Sequence, residues 1–168
     1  MTTWFVDTNV FLRFLTTDEH GQHQKAVRLF EAARREECRL VTGPPVLFEL
    51  AWTLRGAYKI PKARVLEILS AVFAMPGMIL IDAPLVADAL TLASATGSEF
   101  ADAYIAAGSR AAGCSGGATF NRRDFAKLGV EWPSYRNRKW RHFPYRTSPQ
   151  TARDVYYQYG KFARDPHP

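Results

Sequence analysis

Cysteine is scarce in this chain, with Cys38 and Cys114 as its two members among 168 residues. They form neither a CxxC pair nor a zinc-binding spacing, which argues against a disulfide framework or a cysteine-based metal site. We expect both thiols to be free and buried. Histidine is also sparse, and His20 and His23, in a polar stretch, are expected to be solvated rather than to bind a metal.

Long apolar runs are missing as well. No run approaches the roughly 18 to 20 residues that a membrane span requires. The N-terminal segment MTTWFVD has no basic region ahead of its apolar residues. We therefore expect no signal peptide, no membrane association and a cytoplasmic location. The hydrophobic fraction of 47% in 168 residues suits one globular domain with a core of its own.

Charge is unevenly distributed along the chain. Residues 1–132 contain 14 Lys or Arg and 14 Asp or Glu, whereas residues 133–168 contain eight basic and two acidic residues. The net charge of +6 therefore lies in the last segment. This contrast predicts a globular domain over residues 1–132, followed by a basic, aromatic extension over residues 133–168.

The basic and aromatic residues of this extension suit single-stranded RNA. Cations contact phosphates, and aromatic rings stack on unpaired bases. An extension without an RNA role is the simpler alternative. The candidate RNA-binding residues are Arg136, Arg138, Lys139, Trp140 and Arg141.

Strand-like and helical segments alternate along residues 1–132. Strands are predicted at residues 5–6, 38–41, 78–81 and 115–120, with a short fifth one at 130–132. Helices are predicted at residues 22–36, 44–54, 61–76 and 84–97, with a further helix that Ser98 would cap. This alternation predicts a parallel sheet covered by helices on both faces. Functional sites in such sheets lie beyond the carboxyl ends of the strands, near the topological switch point.

Four acidic residues stand in apolar or small-residue surroundings near the ends of these predicted elements. Asp7 follows the strand-like WFV, Glu49 is the one charge in PPVLFELAWTL, Asp102 lies in SEFADAYIAAG and Asp124 in ATFNRRDF. An ionised carboxylate in an apolar setting is costly unless a positive group balances it. Four acids that converge on one point would repel one another and bind a divalent cation, as in metal-dependent phosphodiester cleavage.

Each acid taken alone has an ordinary explanation. Asp124 could form a variant capping box with Asn121, and Asp102 could complement a helix dipole. Asp7 could be a turn residue at a strand end, whereas Glu49 in a structural role would need a buried partner. Their joint arrangement on an alternating α/β pattern is what favours a functional site.

Taken in order, these segments resemble those of PIN-domain proteins, and specifically of VapC-type toxin ribonucleases from toxin–antitoxin pairs. The marks are a hydrophobic strand followed by DTN, a helical acid in LFELAW, a third acid in FADAYIAA, and TFNRRDF after a late strand. The resemblance extends to about residue 132. The four acids of the family motif match Asp7, Glu49, Asp102 and Asp124.

The resemblance also carries a fold, an activity and partners. It implies an α/β fold, a three-layer α/β/α sandwich around a parallel, roughly five-stranded sheet. It implies an endoribonuclease that depends on Mg²⁺ or Mn²⁺ and leaves 5′-phosphate and 3′-hydroxyl ends. A cognate antitoxin protein, a homodimer and RNA are the implied partners. The polar residue beside the first acid matches Asn9, and the late-strand hydroxyl and amide match Thr119 and Asn121.

The chemistry of the acids suits these implied roles. Mg²⁺ takes hard oxygen ligands, keeps several waters and needs only one or two carboxylates directly. Four acids can therefore share direct and water-mediated contacts around one or two ions. Asn9, Asn121 and Thr8 are candidates to hold carboxylates in place, although Thr8 is equally well interpreted as a plain turn residue.

Two further questions stay open in the sequence. The helix predicted at 61–76 has an apolar band wider than one core face needs, which indicates either deeper burial within the monomer or a homodimer or antitoxin surface.

The alternative function is a non-catalytic PIN-like module that binds RNA or a partner. A haloacid-dehalogenase-type phosphatase would require an acid where Asn9 stands, and a receiver domain would require a lysine near Thr119.

Overall fold

The structure, a computed structural model, describes residues 1–131, in which a parallel sheet is flanked by helices. Its strands lie in the order β1 (Thr2–Phe5), β2 (Cys38–Thr42) and β3 (Met78–Leu80). The predicted α/β class is confirmed. The helices are α1 (Thr8–Leu15), α2 (His20–Arg34), α3 (Pro44–Gly56), α4 (Lys62–Phe73), α5 (Ala83–Thr96), α6 (Phe100–Ala111) and α7 (Arg122–Lys127).

The parallel register brings the carboxyl ends of the three strands to the same end of the sheet. Thr2 pairs with Cys38, and Leu40 pairs with Met78. Each parallel step requires a crossover connection, and here two helices fill each one. Asp7 and Asp82 therefore lie at this carboxyl end of the sheet. Asp7 follows β1 and is the N-cap of α1, and Asp82 follows β3 and is the N-cap of α5.

Two of the five predicted strands do not occur among residues 1–131. Trp132, the last residue of the predicted fifth strand, lies outside the described residues. Segment 115–120 contacts Glu131 through a backbone hydrogen bond of 2.9 Å, from the N–H of Gly117 to the Glu131 carbonyl, without a ladder. A Cβ at Gly116 would lie 2.5 Å from the same carbonyl oxygen, so glycine permits this approach. Adjacent glycines weaken a strand, because their backbone entropy is high and they offer no side chain to pack.

Strand β1 lies at one edge of the described sheet. Its Trp4 and Phe5 are exposed by 55% and 62%. The described crossovers all run in one direction across the sheet, from β1 to β2 to β3, and the topological switch point stays a prediction.

The core lies between the sheet and the helices. Leu47, Leu50 and Leu54 share one face of α3 at helical spacing and are buried together with Phe11 of α1 and Leu40 of β2. Burial of each such side chain contributes about 1.5 to 3 kcal/mol before conformational entropy is subtracted. This face anchors α3 and leaves Glu49 on the opposite, exposed side.

The wide apolar band of α4 is used mainly inside the molecule. Val65, Leu66, Leu69 and Val72 are all buried in the core, while Phe73 is 37% exposed. Burial within the monomer therefore accounts for this band. A homodimer stays a prediction without support from α4.

Local details also differ from the sequence expectations. Neither α1 nor α7 was predicted as a helix. Helix α6 has Glu99 as its N-cap in place of Ser98, whose buried hydroxyl instead accepts a hydrogen bond of 2.9 Å from Thr96. Cys38 is buried as predicted, but Cys114 is exposed because it lies in the loop after α6. Among residues 1–131, no helix is long and apolar enough to cross a membrane.

The extension at residues 133–168 and its candidate RNA-binding residues lie outside the described part of the chain. Their assignment as a separate basic segment therefore remains a prediction from charge and composition. The five residues concerned are Arg136, Arg138, Lys139, Trp140 and Arg141.

Candidate functional site

Asp7 lies at the start of α1, two residues beyond the end of β1. Its backbone is extended and its carbonyl accepts the N–H of Val10 at 3.1 Å, but its side chain makes no capping hydrogen bond. The exposed carboxylate accepts a hydrogen bond of 3.4 Å from the Asn9 amide instead. The chain thus turns into a helix without using this carboxylate as a cap, which leaves it available to a ligand.

Glu49 is held by a residue for which the sequence left two interpretations open. The Thr8 hydroxyl, whose residue is only 1% exposed, donates a hydrogen bond of 2.6 Å to Oε2 of Glu49. A hydrogen bond of this length to a carboxylate is charge-assisted and short. Thr8 is therefore a positioning residue that ties the start of α1 to α3, rather than a plain turn residue.

The exposure of Glu49 corrects one sequence argument. Its neighbours Leu47 and Leu50 are buried, yet Glu49 itself is exposed. A helix turns its successive residues to different faces, so an apolar sequence context does not place a residue in an apolar environment. Because the Glu49 carboxylate is exposed to solvent, its charge needs no buried cation to balance it.

Thr8→Val is expected to lower any catalytic activity of this site by about 10- to 100-fold, the range found for residues that orient metal ligands. Valine keeps the shape but removes the hydroxyl that donates to Oε2 of Glu49. Thr8→Ser restores the donor and should recover most of the activity. Cleavage rates of both variants check this, with circular dichroism to show that they fold. Equal loss in the valine and serine variants would instead indicate a packing role for Thr8.

Asp102 lies in the first turn of α6 and is half-buried. Burial raises the pKa of its carboxyl above the ordinary value of 3.8, and the charges of Asp124 and Glu99 raise this pKa further. Lys62 acts in the opposite direction. Asp102 and Asp124 are therefore close enough for like-charge repulsion, although they belong to different helices.

Asp124 lies in the first turn of α7, with its carboxylate 41% exposed. A hydrogen bond from Lys127, 3.2 Å long, and then one from the Asn121 side chain lower the pKa of this carboxyl. The Thr119 hydroxyl accepts the backbone N–H of Asn121 at 3.0 Å. Thr119 and Asn121 thus shape the turn that begins α7 and presents Asp124.

The structure brings the predicted residues together in part. Asp7 contacts Asn9, Glu49 contacts the adjacent Thr8, and Asp102 interacts with Asp124. Within residues 1–131, no group of three or more His, Cys, Asp or Glu side chains is close enough to hold one metal ion. The convergence of all four acids on one point therefore stays a prediction.

The available donors fit a hard divalent cation in their chemistry. All four acids offer carboxylate oxygens, which Mg²⁺ and Mn²⁺ prefer, and one or two carboxylates with several waters satisfy Mg²⁺. Burial is the main cause of the raised pKa of Asp102, and the added repulsion from Asp124 is the part that a cation would relieve. The donor chemistry of Asp102 and Asp124 therefore suits such an ion.

Comparison with known proteins identifies the family of the domain that contains these acids. A family model described as PIN domain matches residues 4–131 of the 168. No curated protein matches the chain. The matched range contains all four acids as well as Thr8, Asn9, Thr119 and Asn121.

Proposed function

This chain belongs to the PIN-domain family, and on that premise we propose that it is a Mg²⁺- or Mn²⁺-dependent endoribonuclease, the toxin of a VapBC-type toxin–antitoxin pair. PIN domains are in general metal-dependent nucleases, so a nuclease is the broad function that this membership supports. The choice of RNA as substrate and the toxin role are the finer steps. They rest on the VapC-like order of sequence segments.

The observation that carries the proposal is the interaction between Asp102 and Asp124. Burial, and then the charge of Asp124 on α7, raises the pKa of Asp102 on α6, and these two residues stand at the positions that match the third and fourth acids of the family motif. Each carboxylate already has a cation nearby, since Lys127 lies 3.2 Å from Asp124 and Lys62 acts to lower the pKa of Asp102, yet the pKa of Asp102 stays raised. A divalent cation bound by both carboxylates would offset their repulsion.

Each residue has a role in this proposal. Asp7, Glu49, Asp102 and Asp124 would hold the metal directly or through water. When bound, a divalent cation supplies an activated water and neutralises charge on the phosphate. Thr8 holds Glu49, and Asn9 donates to Asp7, so both carboxylates are oriented before substrate arrives. Thr119 and Asn121 support the turn that presents Asp124.

The experiment that tests the proposal is a cleavage assay on the full-length chain. Purified protein is incubated with tRNA and other structured RNAs, with Mg²⁺, with Mn²⁺ or with EDTA. We expect cleavage with either ion, loss of cleavage in EDTA, and recovery when Mg²⁺ is added back in excess. Product ends should carry 5′-phosphate and 3′-hydroxyl groups. Cleavage that persists in EDTA would contradict the metal dependence.

A non-catalytic PIN-like module that binds RNA or a partner protein is the second candidate. One observation favours it, namely that residues 1–131 form no group of three acids around one point. RNA binding without cleavage, under every metal condition, would support this candidate. Titration with Mn²⁺ followed by calorimetry separates the two, because the nuclease requires a bound ion and the module does not.

Deletion of residues 133–168 is expected to weaken RNA binding and to flatten its salt dependence. The deleted segment carries the whole net charge of +6, with eight basic residues. Each lost phosphate contact lowers the slope of log K against log salt by about 0.7 for a single strand. Cleavage at saturating RNA should survive, because no proposed metal ligand lies in that segment. An unchanged slope would show that the extension has no RNA role.

A further inference from the structure

A groove of about 580 Å³ runs between α3 and α6 and begins at the proposed active site. One wall includes Asp102 itself. The size falls within the range of sites that bind small molecules. Other residues that line this α3–α6 groove are Phe48, Trp52, Arg55, Lys59 and Phe100.

The groove has a packed aromatic floor and one uncovered aromatic wall. The rings of Phe48 and Phe100 lie 5.4 Å apart, and Phe48 meets Tyr104 edge-on at 5.1 Å. Phe100 is 2% exposed, so this floor is part of the core. Trp52, by contrast, is 78% exposed. A large indole left in water beside a packed floor is available to stack on a flat ligand.

Trp52 is also near the acids along its own helix. It stands three residues after Glu49, and side chains at this spacing are neighbours on a helix surface. A ligand ring stacked on Trp52 would therefore lie next to Glu49 on α3 and Asp102 on α6. The groove and the proposed catalytic site therefore share Asp102.

The groove lining contains two basic residues, Arg55 and Lys59, and two acidic residues, Glu99 and Asp102. Glu99 lies 3.6 Å from Arg55 and 3.7 Å from Lys62, so two cations neutralise it. Lys59 has no ion pair with a carboxylate within 4 Å in the described part of the chain. Its ammonium group is therefore free to contact a phosphate.

The backbone at Lys59 is held in an unfavourable conformation. Its φ is +57°, in the left-handed region where glycine is favoured, and the next residue is fixed by a hydrogen bond of 3.0 Å from Ile60 N–H to the Leu54 carbonyl. A glycine here would relieve that strain. Lys59→Gly can therefore remove the ammonium group without adding backbone strain.

From these features we propose that the α3–α6 groove binds an unpaired nucleotide of the RNA strand next to the cleaved bond. Trp52 stacks on the base, and Lys59 contacts a phosphate. The inference rests on the proposed nuclease function, which supplies RNA as the ligand and places the scissile phosphate at Asp102. Stacking on an aromatic ring tolerates any base, so this subsite selects for an unpaired strand rather than for a sequence.

The test measures binding and cleavage separately on the full-length chain. Binding of a short unstructured oligoribonucleotide labelled with fluorescein is followed by anisotropy in an Asp7→Asn background, which prevents cleavage. Trp52→Ala should weaken binding by about 5- to 150-fold, the range for one lost stacked base. Trp52→Phe keeps a ring and should recover most of it. Trp4→Ala is the matched control, because Trp4 is also exposed but lies on β1 outside the groove.

Lys59→Gly separates a phosphate contact from a structural role. It should lower the salt slope of binding by about 0.7, the loss of one phosphate contact. It should leave the melting temperature unchanged or higher, because glycine relieves the left-handed backbone. Glu36→Gly is the matched control for strain, with φ of +61° at a position outside the groove. That variant should leave the salt slope unchanged.

The outcomes distinguish this inference from the proposed function. If wild type cleaves RNA and the acid variants do not, but Trp52→Ala and Lys59→Gly bind as tightly as wild type with the same salt slope, the groove inference is overturned and the nuclease stands. If wild type neither binds nor cleaves RNA, the proposed function itself fails. Loss of binding to a partner protein in Trp52→Ala, with RNA binding intact, would assign the groove to that partner and also overturn the inference.

Discussion

Asp102→Asn is expected to reduce RNA cleavage by about 100-fold or more, the scale of losing a catalytic proton carrier or a direct metal ligand. Asparagine keeps the size of the side chain but removes the charge that would bind the cation. Asp7→Asn and Glu49→Gln should have comparable effects. Asp124→Asn should be milder, because an amide can still hold a metal-bound water. Single-turnover rates at saturating RNA and Mg²⁺ measure the effect.

A matched control for these variants is Asp88→Asn. Asp88 is an exposed carboxylate on α5, outside the proposed site, and its replacement changes the charge by the same amount. It should leave the cleavage rate within about twofold of wild type, since surface substitutions are usually neutral. Full activity in Asp7→Asn, Glu49→Gln or Asp102→Asn would contradict the assignment of the site.

Stability gives a second readout of the Asp102 variant. Because burial and the neighbouring carboxylates raise the pKa of Asp102 in the folded state, the folded chain holds this proton more tightly than the unfolded chain. Stability therefore falls as pH rises from the ordinary value of 3.8 through the raised value, and the penalty is complete at neutral pH. Asp102→Asn removes this penalty. Without metal, its melting temperature should exceed that of wild type at pH 7 and match it well below pH 3.8.

Metal should reverse the order of these melting temperatures. A ligand at 100 times its Kd stabilises the folded state by about 2.7 kcal/mol. Wild type would gain this stabilisation from Mg²⁺ or Mn²⁺, whereas Asp102→Asn would lose most of it. Differential scanning fluorimetry with and without Mn²⁺ at pH 7 measures both effects. An unchanged melting temperature of wild type at millimolar concentrations of the ion would contradict metal binding at this site.

Expression of the wild-type chain without its partner is expected to arrest growth of the host cells, whereas Asp7→Asn should not. The proposed toxin role carries this prediction, since arrest would follow from RNA cleavage. Growth curves after induction measure it, with protein levels matched by immunoblot. Thr8→Ser should arrest growth like wild type. Equal toxicity from wild type and Asp7→Asn would show that the harm does not come from nuclease action.

The proposed antitoxin should rescue growth by blocking the acidic site. Carboxylates at Asp7, Glu49, Asp102 and Asp124 would attract a basic side chain when no metal balances them, and an arginine can bind carboxylates through two parallel hydrogen bonds. Co-expression of the partner should restore growth, and replacement by alanine of the basic partner residue that enters the acidic site should remove that rescue. Rescue that survives this replacement would place the inhibitory contact away from the acids.

The sequence was sufficient for those properties that depend on local periodicity and side-chain chemistry. Apolar spacing placed β2, β3 and helices α2 to α5 close to their observed ranges, because hydrophobic period and proline positions act over a few residues. The predicted first strand, residues 5–6, overlaps β1 only at Phe5. The residue types and order of Asp7, Glu49, Asp102 and Asp124 pointed to the family that the domain match confirms. The uneven charge of the chain is likewise a property of sequence alone.

Short elements were harder to predict than long ones. Helices α1 and α7 span eight and six residues, too few for a periodic pattern to stand out from adjacent strands and turns. The segment 115–120 has apolar and β-branched character, yet Gly116 and Gly117 give it too little to pack as a strand. Its conformation depends on contact with Glu131, which is remote in sequence.

The tertiary structure decided how the site residues are held and exposed. Thr8 and Glu49 are 41 residues apart, and their hydrogen bond exists because α1 and α3 pack against the same core. The repulsion between Asp102 and Asp124 likewise requires α6 and α7 to adjoin. The exposure of Trp52 beside Asp102 depends on which helix covers which face. Such contacts join distant parts of the chain, and a local sequence pattern carries no information on distances between elements that only packing brings together.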